Sequence, residues 1–297
     1  MAGYQSGSAT SFADLQAAIL TFLQTQGWTL TNTVLNKGTG FFQFTNTASK
    51  LVLNTGTGQS GTALTGVPAS QVCMLSADNP VGFPVTYEFH YFNSPDEFIC
   101  VIQHNGVFYQ QLALGQSLSA NIGGTGWWME GSYDNRYLST NKGYSSDSSG
   151  ANASGSWQYQ GFQFFAMGQY GPRGMWLNYG VDGTNAWGAE ANLNSGWVNW
   201  MMMQASPNQL NQGTILVPIR VMASRPSSLY TEVLTVSNIR MCRNDAFDPG
   251  AIYTLGTDKW KIYPFYSKNT AQRNGVAWGT GAFHSGTYAY AVRYQGP

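Results

Sequence analysis

Val85-Thr-Tyr-Glu-Phe-His-Tyr-Phe-Asn93, then Ser94-Pro-Asp-Glu97, then Phe98-Ile-Cys-Val-Ile-Gln103, and after Asn105-Gly106 the run Val107-Phe-Tyr-Gln-Gln-Leu112 decide the fold. In the first segment Val85, Tyr87, Phe89 and Tyr91 alternate with Thr86, Glu88 and His90. That period of two is the signature of a half-buried strand. Ser-Pro-Asp-Glu is turn chemistry, and Asn-Gly supplies two residues that tolerate positive φ, the strongest short hairpin signal. The stretch 84–114 therefore reads as an antiparallel meander.

Outward from it, strand signals dominate. Short apolar runs at 28–35, 41–44 and 51–53 are separated by Asn, Gly and Thr clusters, and further runs fall at 158–166, 174–179, 215–222, 230–241 and 288–294. One segment reads as a helix. Ser11-Phe-Ala-Asp14 has the form of a capping box, and Leu15, Ile19, Leu20 and Leu23 follow on one face. Gly27 is a natural stop, so the helix is expected over about 12–25. The fold class is mainly β, with antiparallel sheets in a sandwich-like arrangement and one short N-terminal helix.

The segment 140–156 is an exposed polar loop by composition. It divides an N-terminal helix-plus-β domain (1–139) from a C-terminal β region (157–297), which could continue the first sheet.

Composition limits function. Of 297 residues only 9% are charged and 14% are aromatic, with 35 glycines and a formal net charge of zero. An ordinary soluble domain is about 25% charged. The charge is uneven, minus four over residues 1–150 and plus four over 151–297. A neutral chain has no general attraction for nucleic acid. The basic residues Arg240, Arg243, Lys259, Lys261, Lys268 and Arg273 are interleaved with aromatics but diluted by Asp245, Asp248 and Asp258. No run of 18 apolar residues is present, so membrane insertion is not expected. Residues 1–8 lack the basic start and apolar stretch of a secretory leader.

Catalytic and cofactor motifs are sparse. Gly56-Thr-Gly-Gln-Ser-Gly61 has dinucleotide-site spacing, but the Thr-Ala-Leu-Thr-Gly-Val-Pro that follows does not open a long helix, and a glycine-rich hairpin is expected instead. His90, His104 and His284 are scattered, and Cys73, Cys100 and Cys242 form no CxxC pair. His90 and His104 lie on strands expected to pair, which leaves a contact between them open. Cys100, inside an apolar run, reads as a small buried hydrophobe. No metal site, no cofactor and no enzymatic activity are expected.

Two aromatic groups stand out. Trp127-Trp128-Met-Glu130-Gly-Ser-Tyr-Asp134 places two carboxylates beside stacking rings, the best candidate for glycan binding or cleavage. Trp187, Trp197 and Trp200 also have the polar neighbours that suit sugars. Trp, Tyr, Phe and Met are equally what interface cores use. Trp197, Trp200, Met201, Met202 and Met203, with Trp260, Tyr263, Phe265 and Tyr266, are therefore the interface candidates.

Four stretches carry a resemblance. Residues 83–102, with the following hairpin, and Gly124-Thr-Gly-Trp-Trp-Met-Glu-Gly131 resemble a recurring segment of tailed-bacteriophage virion proteins. Leu255-Gly-Thr-Asp-Lys-Trp-Lys-Ile-Tyr-Pro-Phe-Tyr-Ser-Lys268 and His284-Ser-Gly-Thr-Tyr-Ala-Tyr-Ala-Val-Arg-Tyr294 are similar to the ends of such proteins. The resemblance implies a structural subunit of the tail or baseplate, packed against identical copies and other virion proteins. Such a subunit would be made in the host cytoplasm and released by lysis. A tail component that binds or cleaves a host-surface glycan is the first alternative, and a head decoration protein the second. The resemblance transfers no catalytic residue.

Overall fold

The computed structural model describes residues 3–75, 81–119, 123–134, 175–181, 184–188, 216–244, 247–265, 267–268 and 288–297. In chain order, β1 is Gly3–Ala9 and α1 is Phe12–Thr25. They are followed by β2 Thr29–Thr31, β3 Val34–Lys37, β4 Gly40–Thr47, β5 Lys50–Gly56, β6 Gly58–Ser60, β7 Ala63–Thr65 and β8 Val72–Leu75. The meander is β9 Val85–Asn93, β10 Asp96–His104 and β11 Phe108–Gln116. After it come β12 Trp127–Gly131, β13 Tyr133–Asp134, β14 Met175–Val181 and β15 Thr184–Gly188. The last five are β16 Val217–Arg225, β17 Leu229–Arg243, β18 Ile252–Leu255, β19 Asp258–Pro264 and β20 Tyr288–Arg293. The expected strand over 158–166 and the polar loop over 140–156, with both domain boundaries, lie outside the described residues.

The chain is mainly β, with antiparallel sheets in a sandwich-like stack and one α-helix among the described residues. A seven-stranded sheet, β1-β9-β10-β11-β12-β14-β15, forms the middle layer. One face packs on α1 and the six-stranded sheet β13-β8-β5-β4-β3-β2, through Phe89, Phe98, Cys100, Ile102 and Met129 against Phe22, Phe42, Phe44 and Leu53. The other face packs on the five-stranded sheet β16-β17-β20-β19-β18, through Ile99, Val101, Trp128 and Leu177 against Val221, Val236, Tyr263 and Tyr290. This explains the unbroken run Phe98–Ile102, since a strand covered on both faces needs apolar residues at every position. It also corrects the half-buried reading of β9. Thr86 is exposed as expected, but His90 and Phe92 on that face are buried under the five-stranded sheet.

Local signals behave as their chemistry dictates. Ser11 is the N-cap and its hydroxyl accepts from Asp14 N at 3.1 Å. The Asp14 carboxylate accepts from Thr10 N at 2.8 Å rather than from the N-cap amide. Phe12, Leu15, Ile19, Phe22 and Leu23 are buried on the core-facing side. Gly27 follows with φ 87, the left-handed conformation of a helix stop. Asn105 and Gly106 both have positive φ, 48 and 75, between β10 and β11. The 28–35 run is not one strand, because it folds back at Asn32-Thr33 into the β2–β3 hairpin. Gly56–Gly61 leads into the two-stranded β6–β7 hairpin, with no helix after it.

Candidate functional site

Among the described residues, a dense cluster of ionisable side chains lies where the middle sheet meets the five-stranded sheet. Glu88 and His90, two residues apart on β9, share its outer face, and Lys261 and Tyr263 do the same on β19. Layer packing brings the two pairs together. Lys261 Nζ donates to both Glu88 oxygens at 2.7 Å, and the Tyr263 hydroxyl donates to Glu88 Oε2 at 2.7 Å. Tyr4, opposite His90 in the β1–β9 register, donates its hydroxyl to the same oxygen at 3.0 Å. His90 Nε2 stands 2.8 Å from the Tyr263 oxygen. Because the Tyr263 proton goes to the carboxylate, Nε2 must carry the proton of this second bond, which sets the His90 tautomer. The Lys261 ammonium also lies over the Tyr294 ring, 5.4 Å from its centre.

The electrostatics follow from burial and pairing. Burial works to raise the Glu88 carboxyl, but hydrogen bonds from Lys261 and Tyr263 and the Lys261 charge prevail and hold it low. Burial drives His90 down to about 3, partly opposed by the Glu88 charge. Burial, with the Glu88 charge, pushes the Tyr263 phenol well up. At neutral pH the cluster is thus an ion pair bordered by a neutral imidazole and protonated phenols. Glu88, His90 and the two phenols are all shifted away from pH 7. The arrangement ties two layers together.

A second buried carboxylate does related work. Glu97, fully buried on β10, accepts from Ser237 N at 2.8 Å and from Asn238 N and Nδ2 at 2.9 Å. The β16–β17 register shifts here, Pro218 pairing with Arg240 while Ile219 pairs with Val236. Such a bulge leaves backbone N–H groups without ladder partners, and Glu97 takes two of them. Burial pushes its carboxyl up, against the pull of these donors and of Arg240.

The aromatic candidates are placed as follows. Trp127, Trp128 and Glu130 on β12 are buried, Trp127 in the helix-side core and Trp128 in the opposite one. Trp127 Nε1 donates to Thr39 Oγ1, and Gln111 Nε2 donates to Glu130 Oε1 at 3.1 Å. Neither ring presents a face to solvent. Asp134 sits on β13 opposite Val72. Trp260, Tyr263 and Phe265 are buried within the chain itself, Trp260 beneath the Arg240 guanidinium at 5.2 Å. Trp187 donates to the Gly66 carbonyl at 2.6 Å. Trp197, Trp200, Met201, Met202, Met203 and Tyr266 lie outside the described residues. Cys73, Cys100 and Cys242 are all buried thiols. His90 lies opposite Ile99, five residues from His104 and about 17 Å along the strand, so the two do not meet.

Sequence reasoning gives no role to Glu88, Glu97 or Tyr4, and sees Lys261 only as one of six basic residues interleaved with aromatics. The only visible signal was the polar face of β9, because nothing local links Glu88 to a lysine 173 residues later.

Most charged groups described here have partners in the chain: Lys37 with Asp96, Lys261 with Glu88, Arg220 with Glu232, Lys268 with Asp248 and Arg293 with Asp258. Among the described residues no three His, Cys, Asp or Glu side chains gather to hold a metal, and no helix is long and apolar enough to cross a membrane. No protein-family model matches the chain, and no curated protein matches it.

Proposed function

We propose that this chain is a structural subunit of a tailed-phage particle, in the tail or baseplate, acting through protein–protein contacts in a symmetric assembly. The phage assignment rests on the sequence resemblance. The observation that carries the assembly reading is that four of the seven exposed large apolar side chains among the described residues fall on the five-stranded sheet. Leu229 and Tyr230 begin β17, next to the β16–β17 turn, and Ile252 and Leu255 lie on the edge strand β18, each 46–59% exposed. A short edge strand with bare apolar side chains is a ready site for pairing with another chain. With only 9% charged residues and a formal net charge of zero, the surface offers little repulsion between copies. The buried Glu88 and Glu97 clusters fit the same reading, since they stiffen the stack rather than serve a reaction.

The test is cryo-EM of the purified native particle. The expected result is density for the three-layered fold in a tail or baseplate ring, with β18 or the β16–β17 turn at subunit contacts. A free monomer absent from every particle overturns the proposal.

A further inference from the structure

An open groove of about 300 Å³ lies between α1, the β2–β3 turn and the end of β4, and no charged side chain is among its described lining residues. Its volume is at the low end of ligand sites, about 300–1,000 Å³. Its chemistry lies in four amides. Gln43 Nε2 donates to Thr33 Oγ1 at 2.7 Å and to the Thr62 carbonyl at 3.2 Å. Asn32 Nδ2 donates to the Gly61 carbonyl at 3.1 Å. Gln16 Nε2 donates to the Phe44 carbonyl at 2.7 Å, which turns its own oxygen to accept from Asn46 Nδ2.

Backbone carbonyls accept only, so each of these bonds decides which end of the amide is nitrogen. Three oxygens are left over, Gln43 Oε1, Asn32 Oδ1 and Asn46 Oδ1, none receiving a hydrogen bond from the described residues; Gln43 and Asn46, three apart on β4, border the groove from opposite faces of that strand. Thr45 and Leu20 complete the lining, Leu20 as its aliphatic member. The amides are held in place by their nitrogens before any ligand arrives, which lowers the entropy of ordering on binding.

We infer that this groove binds a short, uncharged carbohydrate segment through its hydroxyl groups. A display of carbonyl acceptors calls for a ligand rich in donors. The described lining has no carboxylate to neutralise an ammonium and no cation to hold an acid, which favours neutral donors such as hydroxyls. The site is separate from the Trp127–Asp134 segment and from β18. The inference stands whether or not the chain assembles into a particle.

The test titrates the full chain with maltohexaose, cellohexaose, mannohexaose and chitohexaose, with oligogalacturonate as the charged control, following side-chain amide signals by NMR. At least one neutral oligosaccharide is expected to shift the Asn32, Gln43 and Asn46 amides at millimolar concentration. Gln43→Ala, which removes one oriented acceptor, is expected to weaken binding by about three- to tenfold. Thr45→Trp, at an exposed strand position, fills the groove and should abolish binding with the circular dichroism spectrum unchanged. Three results overturn the inference: no neutral oligosaccharide binds, binding survives Thr45→Trp, or only the charged control binds.

Discussion

Lys261 Nζ lies 2.7 Å from both carboxylate oxygens of Glu88, a residue 173 positions earlier in the chain. The pair joins the middle sheet to the five-stranded sheet, with the Tyr4 and Tyr263 hydroxyls completing the coordination of Glu88. Both side chains are under a quarter exposed, so solvent screens the pair only in part.

Removing Lys261 leaves the Glu88 charge with the Tyr4 and Tyr263 hydroxyls but without its ammonium partner. Lys261→Met is expected to lower unfolding stability by about 2–3 kcal/mol. The double variant Lys261→Met with Glu88→Gln should lose less than the sum of the singles. Urea denaturation of the four proteins measures the coupling, and strictly additive losses would show that the pair does not hold the layers together.

Two buried imidazoles give the protein an acid-sensitive limb. Burial lowers His90 to about 3 and His104 to about 4, whereas the unfolded chain takes up these protons near pH 6.5. Their contribution is therefore complete above pH 6.5 and is lost as pH falls toward those values, at about 1.4 kcal/mol per pH unit for each ring. Glu88, held low, adds its own loss only below about pH 4.5. Neither nitrogen of His104 has a hydrogen-bond partner among the described residues. His104→Leu should therefore raise stability at pH 5 and remove about one proton from the slope between pH 6.5 and 5. An unchanged slope in urea titrations across this range would contradict the assignment.

A Cβ on Gly115 would stand 2.5 Å from Cζ2 of the fully buried Trp128 and 2.9 Å from Glu97 Cγ. Gly115→Ala should cost about 1–3 kcal/mol through overpacking. The near-ultraviolet circular dichroism of the tryptophans should change with it, and a stability within about 0.5 kcal/mol of the parent would refute the packing.

At the β10–β11 turn, space and backbone conformation can be separated. A Cβ on Gly106 meets nothing within 4 Å, but its φ of 75 is unfavourable for other residues. Gly106→Ala is expected to cost about 1 kcal/mol from conformation alone. Asn105→Ala, at φ 48, should cost a similar amount. A neutral result at both positions in thermal unfolding would argue against this turn.

What the sequence determined by itself was local. The alternation from Val85 to Tyr91, the Asn105-Gly106 turn and the Ser11 cap with its apolar stripe each involve residues within a few positions, where strand and helix periods act directly. The strand β1 escaped notice because Gly3–Ala9 is glycine- and serine-rich, and only pairing with β9 makes it a strand. Tertiary structure alone decided the layering. It covered both faces of the meander, placed Trp127 and Trp128 in opposite cores, and brought Glu88 to Lys261 and Glu97 to Asn238. Those outcomes depend on which sheet face meets which, set by burial summed over whole layers. The groove over β4 has the same origin, since its amides come from a helix, a turn and a strand that only packing makes neighbours.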